Sequence, residues 1–267
     1  ILGQLIGELA FFLSAQYRRI TFKNLQLVFG KEMTKRQIAE IARRTYINFG
    51  KSFCEAACSI RFSRDGMKKL VKLKGSENLE KELKKGKGII GFSAHIGNFG
   101  LLGIRLAAEG YPFSFIMRDP EVGQVARILC YCAEHHGVGT IPSMPRRKTI
   151  TSSLKHLHRN EIVCILGDQR EIHGGIFINF MGHTAGTATG PVVLAMRSGA
   201  SIVPMFSIRT PADENVVMIE PAYELVLSGD REKDIQLNTA GLTRIVERYI
   251  RQYPSQWLWL HQRWKLT

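Results

Sequence analysis

The rhythm of apolar positions changes near residue 86. Before that point apolar residues recur every three to four positions. TKRQIAEIARRTYINFGKSFCEAA (34–57) carries such a stripe along one helical face, and Thr34 stands where an N-cap belongs. Residues 1–85 therefore read mainly as helix. After it, short apolar runs alternate with helical segments. The runs are GIIGFSA (88–94), FSFIM (113–117), IVCILG (162–167), SIVPMFSI (201–208) and VVMIEPA (216–222). Between them lie FGLLGIRLAAEG, EVGQVARILCYCAEHHG, TITSSLKHLHRN and TGPVVLAMRSG, each closed by Gly or Asn as helices often are. A last helix, DIQLNTAGLTRIVERYIRQYP, leads into the aromatic tail QWLWLHQRW. Alternation of this kind predicts an α/β domain. Its sheet is mixed and largely parallel, flanked by helices on both faces, with a helical N-terminal lead over 1–85. No linker, repeat or low-complexity tract divides the chain, so residues 1–267 read as one domain.

The N-terminal stretch ILGQLIGELAFFLSAQY is apolar but interrupted by Gln4 and Glu8. It falls short of the roughly 20 apolar residues that a membrane span needs. An interfacial helix, the end of a removed anchor and a core helix all fit it. The first residue is Ile1 rather than Met, which reads as a processed or truncated product.

Composition adds a partner class. The chain carries 37 Lys and Arg against 23 Asp and Glu, a net charge of +14. Such an excess favours an anionic partner, and YRRITFK, KKLVKLK, KELKKGKG and MPRRK are its densest patches. An acidic membrane surface, an acidic protein and nucleic acid all fit, as does a basic surface that serves only solubility. Nucleic acid ranks last, because aromatic residues are sparse among the basic patches and no binding module is recognisable. The cysteines Cys54, Cys58, Cys130, Cys132 and Cys164 form no even framework, and neither CxxC nor HExxH occurs. A reducing compartment and no metal ligand set are expected.

Three apolar runs end in a polar residue: His95, Arg118 and Asp168. In open parallel sheets ligands bind beyond the carboxyl ends of the strands, so the three are expected to converge on one pocket. A neutral imidazole there removes a proton from a hydroxyl and returns it to a leaving group. Gly97 and the amides after His95 are candidates to hold an oxyanion. Arg118 and Arg170 are candidates for anionic groups, through planar multi-donor contacts. Small residues at 184–190 permit close backbone approach, so Thr187, Thr189 and Gly190 read as a substrate wall or phosphate nest. Neither a Walker motif, a GxGxxG after a strand, nor a GxSxG elbow is present.

In order and spacing, RRITFKNLQLVFG, SAHIGNFG, FSFIMRDP, GDQR, FMGHTAGTATGPVVLAMRSGASIVP and YPSQWLWLHQRWK resemble the late lipid A biosynthesis acyltransferases, within the lysophospholipid and glycerolipid acyltransferase superfamily. The resemblance covers almost the full length. It implies a mixed sheet flanked by helices with a hydrophobic channel for an acyl chain. It also implies a place on the cytoplasmic face of the bacterial inner membrane, without a cofactor. The implied reaction moves a fatty acyl chain from acyl carrier protein or acyl-CoA to the hydroxyl of a lipid or glycolipid acceptor. His95 matches the catalytic base, Arg118 the arginine of the second block, and Asp168 with Gln169 the third. Asn98, Gln169, Arg170, Thr187 and Thr189 are the substrate-binding candidates.

Gly100 departs from the pattern, because the family motif places Asp or Glu five residues after the histidine. Three readings stand: an engineered inactivation, a naturally crippled or repurposed protein that binds lipid or acts as a scaffold, or a carboxylate supplied elsewhere by Asp168 or Glu171. The favoured expectation is an altered dyad in which Gly100→Glu raises acyl transfer.

Overall fold

Five consecutive buried residues, Ile89–Ser93, form strand β2 at the centre of the molecule. Burial on both faces is what an unbroken apolar run in a parallel sheet requires. The computed structural model describes residues 1–117, 124–171 and 174–265. Beside β2 lie β5 (Ile162–Leu166) and β8 (Ser201–Arg209), both parallel to it. The sheet continues on one side through β3 (Phe113–Met117) to β4 (Gly139–Pro142), again parallel. On the other side β9 (Asn215–Ile219) runs antiparallel to β8 and parallel to β1 (Val71–Lys74). The order is β1-β9-β8-β2-β5-β3-β4, seven strands. A separate hairpin pairs β6 (Ile176–Phe180) with β7 (His183–Thr187).

The expected α/β class and mixed, largely parallel sheet are therefore found. The lead 1–85 contains one strand, β1, besides its helices α1 (Leu2–Leu13), α2 (Ala15–Phe29), α3 (Lys35–Cys58), α4 (Arg64–Leu70) and α5 (Ser76–Leu83). Part of the small-residue stretch read as a backbone wall is strand β7. The remaining helices are α6 (Phe99–Glu109), α7 (Gln124–His135), α8 (Arg146–His158), α9 (Gly190–Ser198) and α10 (Arg231–Gln252).

Two apolar clusters cover the two faces of the sheet. One gathers Ile90, Phe92 and Val163 with Val192, Ile202, Val246 and Trp257; the other gathers Ile89, Cys164 and Val203 with Leu101, Leu102 and Leu106. Alternate residues of each strand point to opposite clusters, as strand geometry dictates.

Helix α3 starts at a capping box, Thr34 accepting from the Gln37 N–H while the Gln37 side chain returns to Thr34. Helix α1 lies along α3 at backbone contact. A Cβ on Gly7 would stand 2.4 Å from the Tyr46 carbonyl oxygen, and one on Gly50 would stand 2.3 Å from that of Gly3. Only glycine permits this approach. The opposite side of α1 leaves Leu2, Leu5, Leu9, Phe12 and Leu13 exposed. No helix among the described residues is long and apolar enough to cross a membrane.

The tail after α10 has little regular structure, yet Trp257 and Trp259 are among the largest fully buried side chains. Each indole removes about 200 Å² from water, on the order of 5 kcal/mol before entropy. That is ample to pin a segment with few backbone ladders.

Candidate active site

Strand register builds the site. Ser93, the last residue of β2, stands opposite Leu166, the last of β5. The Gly167 N–H donates to the Ser93 carbonyl at 2.9 Å, so pairing persists past the strand ends. Two residues beyond each strand end come His95 and Asp168. Parallel, in-register strands thus deliver both side chains to the carboxyl edge of the sheet, where such folds bind ligands.

Asp168 is 3% exposed. Its Oδ1 lies 2.8 Å from His95 Nδ1. Its Oδ2 accepts the His95 backbone N–H at 3.1 Å and the Trp257 indole N–H at 2.8 Å. Burial pushes the carboxyl up, but the attraction of His95 and these donors outweighs it and holds the group below the ordinary aspartate range. An ionised carboxylate only accepts, so His95 Nδ1 carries a proton, and in the neutral ring Nε2 keeps the lone pair. Gln169 agrees with that tautomer: its side-chain nitrogen lies 3.2 Å from His95 Nε2 and donates to it.

The His95 ring meets Phe99 edge-on at 4.9 Å between centroids. The imidazole lines a crevice with Thr45, Asn48, Phe49, Gly97, Phe99, Gln256, Trp257 and Leu258. It is a mostly apolar slot in which the imidazole is the basic group, suited to chemistry on a hydroxyl attached to an apolar molecule.

Two of the amides after His95 are engaged within the protein. The Ile96 N–H donates to Ala94 and the Gly97 N–H to Gln256. Gly97 has φ +57°, and a Cβ there would stand 2.1 Å from the Ser207 carbonyl oxygen. The glycine shapes the loop rather than the ligand.

Asn98 caps α6 by accepting the Leu101 N–H, and its amide nitrogen donates to the Ser52 carbonyl and the Glu55 carboxylate. Glu55 meets Arg209 through both oxygens at 2.7 Å and also accepts from Asn215. Burial alone would lower the Arg209 pKa, but Glu55 and Asp213 raise it. This partly buried cluster ties α3 to the start of α6, and nothing in the apolar pattern announced Glu55 or Arg209.

Gly100 sits in the first turn of α6. A Cβ there would meet only Asn98 Oδ1 at 3.6 Å and Ala56 Cβ at 3.7 Å, ordinary contacts. The residue lines a second small crevice with Phe49, Ser52, Phe53, Asn98, Phe99 and Leu129. The carboxylate on His95 Nδ1 comes from Asp168. Glu171, the other candidate, is 3.3 Å from Arg146 in an ion pair.

Arg170 donates its backbone N–H to His261 Nε2 at 2.9 Å and its guanidinium to the Lys265 carbonyl. Burial lowers His261 to about 4. Thr187 is buried and its hydroxyl is taken between Ala185 and Arg263, so it does not reach the His95 crevice. Thr189 is the N-cap residue of α9, half-buried, with no side-chain cap bond. Arg118 lies outside the described residues. Among the described residues no group of three or more His, Cys, Asp or Glu is placed to hold a metal ion.

The sequence matches the family model described as bacterial lipid A biosynthesis acyltransferase over residues 1–266. It is 24% identical over 272 residues to the lipid A biosynthesis lauroyltransferase of Escherichia coli (strain K12), covering 99% of this chain and 84% of that one. It is 23% identical to the lipid A biosynthesis palmitoleoyltransferase of the same organism, with the same coverage of both chains. A phosphatidylinositol mannoside acyltransferase of Mycolicibacterium smegmatis is 22% identical over 189 residues, 70% of this chain and 60% of the relative.

Proposed function

The chain belongs to the bacterial lipid A biosynthesis acyltransferase family, and from that premise we propose that it moves a fatty acyl chain from an acyl thioester to a hydroxyl of a lipid or glycolipid, with His95 as general base and Asp168 as its partner. The carrying observation is the 2.8 Å contact between His95 Nδ1 and Asp168 Oδ1. Acyl carrier protein is the proposed donor carrier, with acyl-CoA as the smaller alternative.

The acceptor hydroxyl takes the place of the Gln169 amide at His95 Nε2. As its oxygen bonds to the thioester carbonyl carbon, its proton passes to Nε2. The Asp168 carboxylate stabilises the imidazolium that forms. Negative charge collects on the former carbonyl oxygen, and the displaced Gln169 amide is the side-chain donor proposed to meet it. Collapse re-forms the carbonyl and breaks the C–S bond, and the imidazolium proton goes to the leaving thiolate. An ester and a free thiol result.

A non-catalytic lipid-binding role rested on Gly100 alone. With Asp168 on the imidazole, that residue no longer argues for it.

The site of action proposed is the cytoplasmic face of the bacterial inner membrane. The exposed Leu2, Leu5, Leu9, Phe12 and Leu13 of α1 and the net charge of +14 support an anionic interface. The test is transfer of labelled acyl chains from acyl carrier protein to candidate acceptors, read by mass spectrometry. Wild type is expected to form ester and His95→Ala none; ester formation by His95→Ala at the wild-type rate overturns the assignment.

A further inference from the structure

Asp168 needs holding as much as His95 does. A buried carboxylate that swings by one rotamer would lose His95 Nδ1, and the motif position that elsewhere braces the histidine is Gly100. The brace comes from the C-terminal tail. Trp257 is 1% exposed, and its indole N–H reaches Asp168 Oδ2 at 2.8 Å. Three rings hold the indole edge-on: Trp259 at 4.6 Å, Phe180 at 5.7 Å and Trp264 at 6.0 Å between centroids. So packed, the ring is not free to turn its N–H elsewhere.

The same segment grips the histidine loop. The Leu258 N–H donates to the His95 carbonyl at 3.1 Å, and the Gln256 carbonyl accepts the Gly97 N–H at 2.9 Å. Ile96 and Trp257 thereby form an isolated antiparallel bridge. The Gln256 side chain in turn bonds both backbone groups of Arg209, at 2.8 and 2.7 Å, anchoring the tail to the end of β8.

We propose that Trp257 is a positioning residue: its indole N–H fixes the Asp168 carboxylate with Oδ1 turned to His95. This rests on the reading of His95 and Asp168 as base and partner. An indole N–H is a donor only, so it engages the carboxylate oxygen and gives nothing to a proton arriving there. Hydrogen bonds to charged groups are short and strong, and an indole locked by packing spends no entropy in making this one. The backbone N–H of His95 shares Oδ2, so the carboxylate is held at one oxygen by two fixed donors and left with the other for the imidazole.

The test replaces Trp257 by Phe, which removes the donor and keeps an aromatic ring, and separately by 3-benzothienylalanine, which keeps the indole shape and replaces N–H by sulfur. Acyl transfer is measured with acyl carrier protein thioester, alongside thermal melting and ¹⁵N spectra of the histidine ring. The expectation for the benzothienyl variant is a native melting transition and a kcat lowered about 10- to 100-fold, the range for losing one hydrogen bond to a charged group. KM for donor and acceptor stays unchanged, and the His95 Nδ1–H signal broadens or shifts. A wild-type kcat and an unchanged His95 signal in that variant overturn the role of Trp257. His95→Ala, assayed beside it, separates the two claims. If His95→Ala is inert while the benzothienyl variant is fully active, Trp257 alone is wrongly assigned; if His95→Ala is active, the underlying dyad fails.

Discussion

Asp168 and His95, 73 positions apart in the chain, meet at 2.8 Å between Oδ1 and Nδ1. The contact supplies the imidazole with a carboxylate that the local motif lacks. A short-range pattern is thus completed from the neighbouring strand, and the consequences of Gly100 change accordingly.

Asp168→Asn keeps the side-chain volume but turns an acceptor into an amide that presents N–H or carbonyl to His95 Nδ1. Either the tautomer reverses or the stabilising charge is lost. The expected fall in kcat is on the order of 10⁴, the magnitude for the equivalent change in a serine-protease triad. Steady-state kinetics with a melting curve for the variant checks it. A fall of less than about tenfold contradicts the pairing, since an acid–base contribution alone is larger.

Gly100→Glu is expected to add no transfer activity, which reverses the expectation from the motif. His95 Nδ1 already has its carboxylate, and a second anion at residue 100 would join the Asn98–Glu55 cluster beside it. Like charges at short range destabilise each other. Kinetics of the folded variant against wild type decides it: a gain of tenfold or more would show that Asp168 does not serve the base.

The pH dependence of stability follows from His261. Burial holds its folded pKa near 4, against 6.5 ordinarily. Between those values the unfolded chain binds a proton that the folded chain refuses, so stability falls as pH drops from 6.5 towards 4. Asp168, held below its ordinary 3.8, adds a further loss only as pH falls below that value. His261→Gln keeps an acceptor for the Arg170 N–H and removes the titration. Urea melts across this window should show a flatter pH dependence for the variant; parallel curves contradict the assignment.

Much of this was legible from the chain. β2, β3, β5, β8 and β9 showed themselves because each is built on an apolar run, and Thr34 and the closing glycines marked helix ends. β1 (VKLK) and β4 (GTIP) did not, since each is four residues long and fully buries only one of them. The β6–β7 hairpin hid behind its glycines and threonines. Strand order and register were the larger gap. His95 and Asp168 were both recognisable as strand-end residues, but only the Ser93–Leu166 register shows that they touch. Trp257 was visible as part of an aromatic tail, and its indole partner was not, because that contact spans 89 positions. The Gly97 amide looked free because its tail partner, the Gln256 carbonyl, was out of view.

Membrane engagement is expected through the exposed side of α1. Leu5 and Leu9 are 58% and 59% exposed, one helical turn apart. Replacing both by Glu should weaken flotation with anionic vesicles by about tenfold or more, through lost apolar burial and added like charge. Salt should weaken the wild type as well, since surface charges are screened. Undiminished flotation of the double variant contradicts the assignment of this face.

The central claim is that this chain, with glycine at position 100, carries a working base through His95 and Asp168. The most direct measurement is single-turnover acyl transfer from acyl carrier protein thioester to lipid hydroxyl acceptors. Wild type, His95→Ala, Asp168→Asn and Gly100→Glu are compared at equal concentration. Ester formation by wild type, its loss in both His95→Ala and Asp168→Asn, and no gain from Gly100→Glu is the predicted result. An inert wild type that becomes active in Gly100→Glu would contradict it.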